Sequence, residues 1–104
     1  MPTHEETTAF QRDRARLTEE QAERLKARLA DFIADLKEME ASRRSWFRPG
    51  LRVKKLSGRP DVYEMSWAAD GRATFAMGNP IVAGKLHIVW LRVGSHDILR
   101  RPVL

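Results

Sequence analysis

The sequence predicts an α+β domain in which an N-terminal helical hairpin packs on one face of a four-stranded antiparallel sheet. Three features carry this. An apolar stripe recurs at steps of three and four in the first half, the period changes to two after Pro49-Gly50, and turn signals separate the later runs. Helices followed by strands on short turns leave one sheet face covered and the other open. At 104 residues the chain is expected to form one domain over 1–104.

Residues 1–7 read either as a frayed tail or as a short first strand. A short helix is expected from Thr8, with Phe10 and Leu17 turned inward. Thr18-Glu19-Glu20-Gln21 matches a capping box: the Thr18 hydroxyl accepts from the Gln21 backbone, and the Gln21 side chain reaches back. Glu19 and Glu20 suit the positive end of the helix dipole. Ala22, Leu25, Leu29, Phe32, Ile33 and Leu36 make the stripe, and the helix is expected to end near Ala41.

The second half reads as strands. They are expected over 51–56, 62–67, 72–77 and 86–93, with turns at Gly58-Arg59-Pro60-Asp61, at Asp70-Gly71 (type I′) and across 78–84. Tyr63, Met65 and Trp67 share one face of their strand, and such a stripe is more often core than a stacking platform. Trp90 reads as core by the same logic, with Arg92 on its face. The apolar last strand is expected to be central and to end at Gly94, before a short tail.

Composition narrows the chemistry. Cysteine is absent, which excludes disulfides, thiolate metal sites and cysteine nucleophiles. His4, His87 and His96 are scattered, without close metal-ligand spacing, and no cofactor is expected. The longest apolar run, Leu86 to Val93, is too short to span a bilayer and is interrupted by His87 and Arg92. The segment Met1 to Thr8 has no signal-peptide core, so a cytoplasmic protein without a membrane partner is expected. Charge is uneven. Residues 1–45 carry 9 Lys/Arg against 10 Asp/Glu, whereas residues 46–104 carry 10 against 4. A surplus of +6 in the second half points to a polyanion-facing surface there, against the plainer reading of an incidentally basic domain.

With these elements in place, LRVKKLSGRPDVYEMSWAADGRATFAMG (51–78), followed by HIVWLRVGSHDIL (87–99), resembles the RelE/ParE superfamily of toxin–antitoxin systems. The combination carries the likeness: a helical hairpin, LRVKKLSG leading into a strand with an aromatic, a Gly-Arg step opening the next strand, and a hydrophobic strand ending in Gly94-Ser95-His96-Asp97. The resemblance spans roughly residues 8–101. It implies a ribosome-dependent mRNA endonuclease whose reaction, attack of a 2′-hydroxyl on the adjacent phosphate, needs no metal, and an antitoxin partner. The ParE-like branch shares the fold but acts on DNA gyrase, so a non-catalytic relative that binds a protein target or nucleic acid is the alternative.

Such cleavage needs a base for the 2′-hydroxyl, cations for the phosphorane and an acid for the leaving 5′-oxygen. Arg72 stands where RNase-like members carry an arginine on the scissile phosphate; it is otherwise an exposed strand-start residue. His96 occupies a position held by a basic residue in the family, where it acts as acid or base or else makes a structural turn contact, with Asp97 orienting it or capping the turn. Glu64 is the remaining candidate base, or an ion-pair partner that silences Arg72. Arg52, Lys54, Lys55, Arg59 and Arg92 form the candidate nucleic-acid-binding set. Adjacent strand residues face oppositely, which sets Arg52 and Lys54 outward and Lys55 inward with Leu51 and Val53. The sequence also departs from the family. Glu64 and Ser66 replace basic residues on their strand, and Ile98-Leu99 follow where members often carry a tyrosine.

Overall fold

The structure, a computed structural model, describes residues 2–103. Its elements in chain order are β1 (Thr3–Glu6), α1 (Thr8–Ala15), α2 (Glu19–Glu40), a 3-10 turn (Pro49–Leu51), β2 (Lys54–Leu56), β3 (Arg59–Ser66), β4 (Gly71–Gly78), β5 (His87–Ser95) and a second 3-10 turn (His96–Arg100). The sheet has five strands in the order β1-β5-β4-β3-β2. It is mixed, because β1 pairs parallel to β5 while the other pairs are antiparallel. The expected four-stranded antiparallel sheet is thus corrected by β1, which four polar residues conceal from a hydrophobic-pattern reading. Backbone pairing with β5 recruits it, aided by bonds from the Thr3 and Thr7 N–H groups to the carbonyls of Leu86 and Trp90. Met1, within the segment expected as a tail or strand, and Leu104, in the expected C-terminal tail, lie outside the described residues.

The helices form as their caps dictate. Thr7 accepts from the Phe10 N–H at the start of α1. Thr18 and Gln21 complete the predicted capping box of α2. Leu25, Phe32 and Leu36 of the stripe are buried, while Ala22 and Ile33 at its margins are exposed. The core lies between α2 and one sheet face. Phe32 stacks on Phe47 (ring centroids 4.6 Å apart) and meets Phe75 and Trp90 edge-on or tilted, and Tyr63 stacks on Phe75. Met65 and Trp67 are buried in the same cluster, so the aromatic stripe of β3 is core. As expected, β5 is internal to the sheet. It runs one residue past Gly94 before the second 3-10 turn.

Three local readings are corrected. The run 51–56 does not begin as a strand: Pro49–Leu51 is a 3-10 turn, Arg52 takes a left-handed backbone (φ 52°), and only Lys54–Leu56 is extended. The following turn is the two residues Ser57-Gly58, with Gly58 at φ +76°, and Arg59 is already in β3 opposite Leu56. The β3–β4 loop spans Trp67 to Gly71 and is not type I′, since neither Asp70 nor Gly71 has a positive φ. Glycine is required at 71 for another reason. A Cβ there would lie 2.5 Å from the Trp67 ring, which packs over the loop and donates its indole N–H to the Arg72 carbonyl.

The sheet face away from α2 carries the polar residues. Pairing aligns Lys54, Glu64, Thr74 and Arg92 across β2, β3, β4 and β5, and the next row holds Ser66, Arg72 and Gly94. A bulge in β5, with Trp90 opposite Phe75 and Arg92 opposite Thr74, leaves Leu91 as the extra residue. It overturns the expected sharing of a face by Trp90 and Arg92. The C-terminal segment crosses this face, held by the Thr74 hydroxyl donating to the Pro102 carbonyl and by Arg92 donating to the Arg101 carbonyl.

Candidate nucleic-acid interface

Side chains of the open face line three adjoining hollows that form one furrow. The first, about 280 Å³, is bounded by Arg28, Arg52 and Arg72 with Ser66 and the β3–β4 loop. The second, about 270 Å³, is shared by Arg52, Lys54, Glu64 and Arg72. The third, about 460 Å³, lies between Lys54, Lys55, Arg59 and Glu64 on one side and Leu99, Arg100 and Pro102 on the other. Seven cationic side chains therefore line the furrow against one acidic residue, Glu64.

Glu64 is buried in the furrow floor, 5% exposed, with its Oε1 3.8 Å from Lys54 Nζ and 3.9 Å from Arg72 Nε. These separations are loose for ion pairs. They leave the carboxylate oxygens able to accept a proton or a ligand hydrogen bond. Arg72 is held from its other end: Nη1 donates to the Gly71 carbonyl at 2.9 Å and lies within reach of the Ala68 and Ala69 carbonyls. The loop thus fixes the guanidinium in place, with its Nε edge toward Glu64.

The structure brings Arg72, Glu64, Arg52, Lys54, Lys55 and Arg59 into one furrow. It corrects the orientation of Lys55, which is exposed and lines the third hollow beside Lys54. In a three-residue edge strand whose register shifts after Lys55, strict alternation no longer separates neighbours. Arg92 is not in the furrow. Its Nε and Nη2 donate to Asp13 at 2.6 and 3.0 Å, and Asp13, itself buried, also accepts from the Val93 N–H. The hydrogen bond from Arg92 to Asp13, with the attraction of that charge, overcomes the cost of burial and raises the guanidinium pKa above its ordinary value. Arg92 is a structural cation.

His96 lines none of the three hollows. Ser95, just before it, pairs with Gly71, and Gly94 pairs with Arg72, so the turn carrying His96 and the loop carrying Arg72 are neighbours. The partner of His96 is Asp70, which contacts its Nδ1; Asp97 is 3.9 Å from Nε2. Of the two roles read for Asp97, orienting His96 or serving the turn, the closer contact is in the turn. Asp97 donates its backbone N–H to the Ser95 hydroxyl at the start of the 3-10 turn. The hydrogen bond from His96 holds the Asp70 carboxyl below its ordinary pKa, and the charges of His96 and Arg72 add to the effect.

Two furrow residues escaped the sequence reading. Arg28 sits on the charged face of α2, and nothing in its spacing distinguishes it from a solvated arginine; only the packing of α2 beside the Gly50 turn brings it in. Arg100 enters because the C-terminal segment folds back over the sheet. Two structural carboxylates did carry a signal. Asp13 falls between Phe10 and Leu17, and Asp35 lies three residues past Phe32, both at inward helical spacing. Among the described residues no cluster of three or more His, Asp or Glu could hold a metal ion.

No protein-family model matches the sequence, and no curated protein matches it. Solved structures do. A copper-bound mutant toxin from Helicobacter pylori superposes with a TM-score of 0.57 at 16% identity, covering 93% of this chain and 97% of that one. The chain shares the fold of that protein. The solution structure of a conserved hypothetical protein from H. pylori is also similar, at 17% identity over the same shares and a TM-score of 0.48. Among the described residues no helix is long and apolar enough to cross a membrane.

Proposed function

We propose that this chain is the toxin of a type II toxin–antitoxin pair, acting in the cytoplasm, and that its furrow binds messenger RNA on the ribosome and cleaves it. The observation that carries this reading is a cationic furrow with a single buried carboxylate, Glu64, set beside a fixed guanidinium, Arg72. Phosphate contacts from Arg52, Lys54, Lys55, Arg59 and Arg100 hold the strand in register. Glu64 takes the 2′-hydroxyl proton, and the 2′-oxygen attacks phosphorus. The bond from phosphorus to the 5′-oxygen breaks, and the products are a 2′,3′-cyclic phosphate and a 5′-hydroxyl end. Arg72 and Lys54 stabilise the charge on the phosphorane. His96, held by Asp70, supplies the proton to the leaving oxygen. The antitoxin neutralises the toxin by covering the furrow.

The test is expression with and without Arg72→Ala, followed by mapping of message ends in purified translating ribosomes. Wild-type protein is expected to arrest growth and to leave cyclic phosphate ends, and the variant to lose both by at least about a hundredfold. Equal cleavage by the two proteins would refute the assignment.

A second reading has its own support. The Arg72 guanidinium already serves loop carbonyls, and Glu64 stands between two cations, an arrangement that also suits a binding surface without chemistry. On that reading the chain binds a protein target such as gyrase, and it inhibits supercoiling while leaving RNA intact.

A further inference from the structure

The backbone at Arg52 is the least expected feature of the furrow. Arginine has no special tolerance for the left-handed region, yet Arg52 occupies it at φ 52°, ψ 45°. Only Ser42 shares a positive φ among the described residues that are not glycine. Sterically strained residues persist where their surroundings over-determine them, and they concentrate at functional sites. Here the surroundings are identifiable. The Arg52 N–H closes the 3-10 turn on the Pro49 carbonyl, and the turn is anchored from behind by Leu51, fully buried, and by Arg48. Arg48 in turn is clamped to Asp35 through its backbone N–H at 2.8 Å and its guanidinium at 2.9 Å.

This turn carries the Arg52 side chain to the boundary between the first and second hollows, between Arg28 and Arg72. Its neighbours are committed. Arg28 donates to Asp31 at 2.9 Å, and Arg72 to the loop carbonyls and toward Glu64. Arg52 pairs with no carboxylate among the described residues and is exposed. Three guanidinium groups from three separate elements thus border a hollow of about 280 Å³ that no acidic side chain lines, with the Ser66 position at its rim.

We propose that the Arg28–Arg52–Arg72 hollow is a phosphate subsite separate from the Glu64 centre, taking a phosphodiester of the RNA that flanks the one at Glu64, and that Arg52 is its principal free donor. The proposal rests on the RNA reading above and adds to it a place and a cost: the strained backbone is retained because it delivers this side chain. Planar guanidinium groups suit a phosphodiester, which offers two unesterified oxygens to a bidentate donor. The hollow adjoins Glu64 but excludes it, so the bound phosphate meets no anion there.

The test uses the full chain and a single-stranded oligoribonucleotide carrying 2′-O-methyl groups to prevent cleavage. Binding is followed by fluorescence anisotropy from low to moderate salt, and stability by thermal unfolding. Arg52→Gly is expected to weaken binding about tenfold at low salt and to reduce the salt slope by about one. The same change is expected to leave Tm at or above that of the wild type, because glycine accepts the left-handed backbone. Arg52→Lys should keep most of the salt slope with no gain in Tm, and Arg28→Ala should weaken binding as Arg52→Gly does. Wild-type affinity and slope in Arg52→Gly would overturn the subsite, as would a clear fall in its Tm. If Lys54→Ala and Arg59→Ala weaken binding while Arg52→Gly and Arg28→Ala do not, the furrow binds RNA and the hollow does not. If the wild type binds no RNA at low salt, the RNA reading itself falls and takes the subsite with it.

Discussion

The two ends of the open sheet face use arginine in opposite ways. At the β5 end, Arg92 is matched to a buried aspartate through two hydrogen bonds, and that aspartate also caps a strand N–H left unpaired where β1 stops. Every polar atom has a near partner, and the C-terminal segment closes over the site. At the β2 end, Arg52 has no carboxylate partner among the described residues, Lys54 is mostly exposed, and Glu64 is shared loosely by two cations. Burial demands full pairing because an unpaired charge inside the protein is expensive, whereas a surface meant to receive a polyanion must leave donors unsatisfied. Proximity in the sheet therefore says little about the role of a cation; what else touches it decides.

The largest expected effect tests the paired end. Asp13→Ala strands the Arg92 guanidinium and the Val93 N–H together, and it should cost about 3–5 kcal/mol in chemical denaturation. The double variant Asp13→Leu with Arg92→Met, which removes both charges, should recover most of that loss while leaving RNA binding unchanged. A loss of RNA affinity in the folded double variant would join Arg92 to the furrow after all and dissolve the contrast.

Much of this architecture was legible in the sequence, and the failures have physical causes. The capping box of α2, its inward stripe and the aromatic core of β3 follow from local periodicity and side-chain chemistry, and they form as expected. The strand β1 was ambiguous because its stability comes from backbone pairing with β5, some 84 residues away in the chain, and not from an apolar face. Arg52 was misplaced on a strand because LRVKKL alternates convincingly; the Pro49–Leu51 turn overrides that pattern by burying Leu51. Arg72 and Glu64 were singled out by what the resemblance implies for their positions, and Lys54 by the face that strand period assigns it; pairing across β2, β3 and β4 sets all three beside one hollow. Arg28 and Arg100 were not, because they reach the furrow from a helix and a tail whose placement is tertiary.

A second, smaller effect concerns the clamp behind the furrow. Burial pushes the Asp35 carboxyl upward, but hydrogen bonds from the Arg48 side chain and backbone, with the charges of Arg48 and Arg44, more than offset this and leave its pKa below the ordinary value. A carboxyl lowered on folding contributes stability that is complete above its unfolded value, about 4, and is lost as pH falls through the lower folded value. Stability measured from pH 7 downward should therefore decline across that acid window. Asp35→Asn should lower stability at pH 7 by about 2 kcal/mol and flatten the decline. An unaltered acid profile in the variant would show that the clamp adds nothing to the anchoring of the Pro49–Leu51 turn.

The smallest effect on stability is expected at Glu64, and it sharpens the comparison most. Glu64→Gln preserves shape and removes one negative charge from the furrow floor. Its cation partners sit at 3.8 and 3.9 Å, and one of them, Lys54, is mostly exposed, so the folded state should lose about 1 kcal/mol or less. RNA affinity should rise severalfold at low salt, because the phosphates no longer meet an anion beside Arg72. Cleavage, by contrast, should fall by about a hundredfold or more, because the proton acceptor is gone. Affinity and cleavage move in opposite directions while stability barely changes, which no purely structural role for Glu64 produces. A stability loss as large as that of Asp13→Ala, without a gain in affinity, would make Glu64 a paired structural charge like Asp13, and the two ends of the sheet would then be built on the same rule.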